Sequence, residues 1–279
     1  MLVAESDFMA KPFLSASNLF EVAKKGYTRG QYNSLAKASN LGGQYEALVA
    51  ITFSVMTIEA FLDELIALSR DREEPDAQAL FSSLNGLKSI KDRLFHASCS
   101  TSDTPLVRGN TIFQDFKLLV DTRDRIVHLL AGDTVDEGLI KKNADILTEL
   151  RKRGISSVKQ SIGIHKEDED FTKEAEDNQT VDLMCLPFIS SVATEDVAKW
   201  SYKVVSKVIA SFVDGMRESS FKNCLKDYTS GRFQELSQND LDELLELKKI
   251  FLKFNCWTSD DFLAKIRKKE LIVSIPTDV

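Results

Sequence analysis

The sequence predicts a nearly all-α protein. Five prolines and twelve glycines in 279 residues leave long windows without a breaker. Within them apolar residues recur at three- and four-residue steps, the period of a helix with one face in a core. Strand-like alternation is scarce, and the tail LIVSI at 271–275 is the one candidate.

The elements follow in order. Residues 44–70, QYEALVAITFSVMTIEAFLDELIALSR, form the first strong helix, entered after Gly42 and Gly43, which suit a turn. It is apolar on nearly every side, which predicts a central, buried helix. Pro75 marks the following loop, and a second helix fits 77–95. Residues 98–110 are rich in turn formers and read as a polar loop. The third helix spans about 111–130 and ends at Gly132 and Asp133. A fourth, 136–153, is amphipathic and basic at its end. Residues 165–182 carry eight acids against two lysines and read as a solvated loop or insertion. Thr194 is placed to cap a long amphipathic helix over 195–216. Two further helices fit 239–254 and 259–268. The chain thus divides into a helical domain, 1–222, and a C-terminal helical extension, 223–279.

The composition narrows the classes of function. The hydrophobic share of 43% and charged share of 28% suit a soluble globular chain. A formal net charge of −7 is not that of a dedicated nucleic-acid binder, so any such contact must use a local patch. Cys99, Cys185, Cys224 and Cys256 make no CxxC pair and lie at no metal-ligand spacing from a histidine, so they read as buried or incidental thiols in a reducing compartment. The N-terminus lacks the basic and apolar regions of a secretory signal. No run of 18 apolar residues predicts a membrane span. These readings point to the cytoplasm and to no membrane contact.

One constellation stands out. Ile112, Phe116, Leu119, Val120, Val127 and Leu130 fall on one stripe of the third helix, and Arg123 falls on it too. A guanidinium there needs an open cleft or an acid, because an unpaired buried charge is costly. Glu59, in the most apolar stretch of the first helix, has the opposite problem, and a pair with Arg123 solves both. Arg125 and Asp63 are the alternative partners. Arg125 and Asp121 otherwise read as surface or interface charges. His128 follows Arg123 by five residues, a net rotation of about 140°, so one helix cannot turn both to the same face. Asp124 stands one turn before His128, within reach of the imidazole.

The run TRDRIVH resembles the R-x4-6-H motif of the HEPN superfamily, helical domains of prokaryotic toxins and defence proteins. Arg123, the polar residue Asp124 and, four positions on, His128 carry the match. The helix SVMTIEAFLDELI resembles the family's earlier core helix, with Glu59 at its frequent acid. The helix holding Trp200 resembles the helix that closes the bundle. The likeness covers roughly residues 30 to 220, with the acidic stretch as an insertion. It implies a HEPN-like bundle and a metal-independent endoribonuclease with a toxin or antiviral role. In that family two motifs meet at a homodimer interface to form one composite site. His128 then serves as general base or acid, Arg123 holds the scissile phosphate, Asp124 orients His128, and Glu59 supports them. No cofactor or metal is implied, and an inhibitor or activator protein is a natural partner.

Lys141, Lys142, Arg151, Lys152, Arg153 and Lys159 face Asp145 and Glu149 in the fourth helix and after it, and offer an RNA path or an ordinary solvated face. Lys265, Arg267, Lys268 and Lys269 form a second small cluster. No HExxH, paired histidines or Asp-rich loop supports a metal enzyme, and neither a glycine-rich phosphate loop nor a G-x-S-x-G elbow is present. The competing reading is a non-catalytic helical dimerisation, adaptor or RNA-binding module, with Arg123 and Glu59 as a structural pair. The position of His128 separates the two: exposed toward a second copy in the enzyme, buried or isolated in the adaptor.

Overall fold

The computed structural model describes residues 16–35, 40–130, 137–155, 188–237, 239–240 and 242. The acidic segment 165–182, Lys159, the second basic cluster, the strand candidate 271–275 and the expected helix 259–268 lie outside them, as does most of the helix expected at 239–254. Among the described residues the protein is helical, with no strand and one isolated bridge between Ser102 and Met216. No described helix is long and apolar enough to cross a membrane.

The helices are α1 (Ala16–Leu35), α2 (Asn40–Ser69), α3 (Pro75–Leu84), α4 (Ile90–Thr101), α5 (Thr111–Leu130), α6 (Glu137–Lys152), α7 (Glu195–Gly215) and α8 (Ser220–Thr229). Helix α1 has no counterpart in the sequence reading, although Ala16, Leu19, Phe20, Ala23 and Tyr27 are its buried stripe. Helix α2 starts at Asn40, so Gly42 and Gly43 lie inside it rather than in a turn before it. The single helix expected over 77–95 is two. Gly86, at φ 82, breaks it after Asn85, and the Ser89 side chain accepts from the Asp92 N–H to start α4. Pro75 opens α3, where the missing N–H costs nothing. Helix α4 runs to Thr101, so Ser98 is buried in helix rather than exposed in loop. Helices α5, α6 and α7 lie within a residue or so of their expected bounds, and Thr194 Oγ1 accepts from the Val197 N–H 3.4 Å away, as a cap should.

The chain forms two compact units, each assembled from separate segments. The first comprises 1–22, 53–117 and 204–233; the second comprises 23–52, 118–203 and 234–279. In the first, aromatic rings bring the segments together: Phe61 packs against Phe212 at 6.0 Å and Phe233 at 5.9 Å, and Phe233 against Phe20 at 5.8 Å. Polar clamps fix the ends of its helices. Arg217 reaches Asp76 Oδ1 at 3.0 and 2.7 Å, and its backbone N–H donates to the Thr101 carbonyl at 2.9 Å. The buried Lys222 ammonium caps α7 by donating to the carbonyls of Asp214 and Met216 at 3.0 and 2.7 Å. In the second unit, Tyr27 of α1 packs on Tyr202 of α7 at 5.4 Å. Gly26 lets α1 approach α2 closely: a Cβ on it would lie 2.9 Å from the Glu46 carbonyl oxygen.

Candidate functional site

The motif lies in the second unit, on the last three turns of α5. There Leu118, Thr122, Arg125 and Ile126 are buried, and their spacing of four, seven and eight residues makes one stripe. The stripe drawn from the sequence holds at Phe116, Leu119 and Val120 and fails toward the end of the helix. Val127, assigned to it, is 45% exposed, and Arg125, assigned to the surface, is 6% exposed. Arg123 sits on the border of the buried stripe, and Asp124, Val127 and His128 lie on the open side.

Arg123, Asp124 and His128 thus sit on the accessible part of the helix. The Arg123 side chain is 20% exposed, that of Asp124 is 46% exposed, and His128 is exposed. Asp124 falls between the other two around the axis, about 100° from Arg123 and 40° from His128. Its carboxylate is turned to the arginine, not to the imidazole: Oδ1 lies 3.3 Å from Arg123 Nε. That approach is an ion pair between chain neighbours, not an aligned hydrogen bond. A guanidinium is a planar fork of N–H donors, the geometry that suits a phosphate.

Glu59, expected to be a buried acid, is half-buried and belongs to the first unit, whereas Arg123 belongs to the second. The two alternative partners of that pair have others: Asp63 takes Arg93, and Arg125 takes Asn143.

That last contact links α5 to α6. Asn143 lies on the buried stripe of α6 with Ile146, Leu147 and Leu150. Its Oδ1 accepts from Arg125 Nε at 2.6 Å. The bond joins a residue near the end of α5 to one near the start of α6. Asn143 carries no expectation from the sequence, and Arg125 only that of an alternative ion-pair partner or a surface or interface charge. The signal was available, since both continue apolar stripes of helical period in their own helices.

The basic residues of α6 divide into two groups. Lys141 and Lys142 are exposed, and among the described residues no acid pairs with either. Lys152 and Arg153 share Glu149, whose oxygens accept from Lys152 Nζ at 2.7 Å and Arg153 Nη1 at 2.9 Å. Hydrogen bonds, first from Lys152 and then from Arg153, hold the Glu149 carboxyl below the usual range. Arg151 is half-buried. The unneutralised part of the patch is therefore the N-terminal half of α6.

Among the described residues no cluster of three or more histidines, cysteines or acids is placed to hold a metal ion. Cys99 is exposed rather than buried, and Cys224 is half-buried, its Sγ 3.2 Å from Arg72 Nη2. His96 is exposed on α4. No family model, curated protein or solved structure matches the chain.

Proposed function

We propose that the chain is an endoribonuclease of HEPN type, metal-independent and acting as a homodimer, in a toxin or antiviral defence role. The observation that carries this reading is the R-D-x3-H run on α5, with Arg123 at the border of the buried stripe and Asp124 and His128 on the open side. The helical rotation that separates Arg123 from His128 within one copy is the reason for the dimer. Val127, 45% exposed one residue before His128, offers apolar surface for the second copy.

The reaction runs on the substrate's own nucleophile. His128 takes the proton of a ribose 2′-hydroxyl, and the freed oxygen attacks the adjacent phosphorus. The bond from phosphorus to the 5′-oxygen breaks, and that oxygen takes up a proton. The products are a 2′,3′-cyclic phosphate and a 5′-hydroxyl, with no co-reactant consumed. Arg123 binds the phosphate and stabilises its added charge in the transition state. Lys141 and Lys142 supply the nearby cationic surface, and Lys152 and Arg153 add to it once an RNA phosphate competes with Glu149.

The test is incubation with total cellular RNA in EDTA, beside His128→Ala and Arg123→Ala. Cleavage by the wild type alone, with losses of about 10²- to 10⁴-fold in the variants, supports the reading. Equal cleavage by all three refutes it. Intact RNA with the wild type, together with a stable dimer, moves the assignment to a dimerisation or adaptor module.

A further inference from the structure

Next to the motif on α5, about 60° around the axis from His128, the second unit holds a buried cation that no acid among the described residues pairs. Arg125 is 6% exposed, and Asn143, a neutral amide at 2.6 Å, is its hydrogen-bond partner. The Nη2 group of Arg125 is shut off from water and makes no hydrogen bond. No ion pair reaches this guanidinium among the described residues. A guanidinium is a permanent cation, so it cannot escape the cost of burial by losing a proton as a lysine can. A charge left unpaired in this way is strongly destabilising, and an apolar side chain of similar size would serve the packing better.

We propose that Arg125 and Asn143 form the donor face of a binding site for a small oxyanion, a phosphate or carboxylate group, between α5 and α6. The guanidinium fork matches such a group, and Nη2 is the unused donor. Asn143, with its Oδ1 committed to Arg125, turns its amide N–H groups to the same ligand. Lys142, exposed and next in sequence to Asn143, adds positive potential. At 6% and 8% exposure the two side chains lie below the surface, so the ligand is a small anion enclosed beside them and not a polymer backbone. The proposal does not depend on the ribonuclease reading.

The experiment compares thermal unfolding of the full chain in phosphate, acetate and chloride at equal ionic strength. Wild type, Arg125→Met and Asn143→Asp are run side by side. A wild-type rise of roughly 3 °C in 10 mM phosphate over chloride is expected, corresponding to an anion at about ten times its Kd. Arg125→Met keeps the bulk, removes the charge and loses the rise; its residual response measures general salting effects. Asn143→Asp supplies the missing anion from within, so it unfolds above the wild type in chloride and no longer responds to phosphate. A response to acetate as well assigns the site to carboxylates and phosphates alike; a response to phosphate alone narrows it. Equal wild-type midpoints in all three salts, or an Arg125→Met response equal to that of the wild type, overturn the proposal.

Discussion

Gly26→Ala sets two effects of opposite sign against each other. Inside a helix, glycine to alanine gains about 1 kcal/mol from propensity and reduced unfolded-state freedom. At Gly26 the added methyl lies 2.9 Å from the Glu46 carbonyl oxygen, 3.0 Å from the Ala50 nitrogen and 3.3 Å from the Ala50 Cα. All three are backbone atoms of α2, so no side chain can swing aside. Relief requires α1 to move off α2, and overpacking of this kind costs about 1–3 kcal/mol. With three rigid contacts the upper end applies, for a net loss of about 2 kcal/mol. For a chain of this size that is a fall in Tm of roughly 6 °C. Gly109→Ala is the control: nothing lies within 4 Å of its added Cβ, and its φ is not positive, so its Tm should move by about 1 °C. Calorimetry on the two variants checks the argument. A Gly26→Ala protein as stable as the wild type, or more so, would show that α1 and α2 do not approach this closely.

Other outcomes follow from the same geometry. Burial first, then the charges of Glu195 and Asp196, push the Tyr27 hydroxyl up to about 12, and burial likewise raises Tyr202. Both are neutral in the folded state while the unfolded chain ionises near pH 10, so stability is full below about pH 10 and falls from there to about pH 12. Urea midpoints against pH should show that decline, and Tyr27→Phe should make it shallower. Glu149→Gln releases Lys152 and Arg153, so RNA binding should tighten a few-fold and its logarithmic salt dependence should steepen by about one. Unchanged affinity would place that end of α6 away from RNA. Val127→Asp should leave folding intact while abolishing the dimer and cleavage together, as read by sedimentation and RNA gels; an active monomer would remove the composite site.

The helices α5, α6 and α7 were readable from their apolar period, and α7 also from its capping Thr194. Helix α1 was obscured by Gly26 and Gly30, which lower local propensity although the buried stripe runs past Gly26 to Tyr27. The break between α3 and α4 was written in Asn85 and Gly86, and the longer apolar period over 77–95 masked it. The motif spacing from Arg123 to His128 could be read directly, since helical rotation alone sets it. Which arginine is buried could not. A single stripe was drawn for the whole of α5, but the residues a helix buries depend on what packs there, and beyond Leu118 that choice favours Arg125 over Val127. The division of labour at Glu149 was hidden for a similar reason: charge counts give a balance, and side-chain geometry decides which cations remain free.

The segmental make-up of the two units has a consequence for biosynthesis. Each unit draws on chain on both sides of the other: the first needs residues up to 233, and the second needs residues beyond 203. No N-terminal fragment ending before α7 contains either unit whole, so a ribosome must release most of the chain before either can close. Such long-range closure is slow compared with local helix formation. The nascent chain therefore exposes the apolar face of α2 for the time needed to translate some 130 further residues, at about 5–20 per second. Premature stop codons anywhere before α7 should yield chaperone clients rather than smaller working domains.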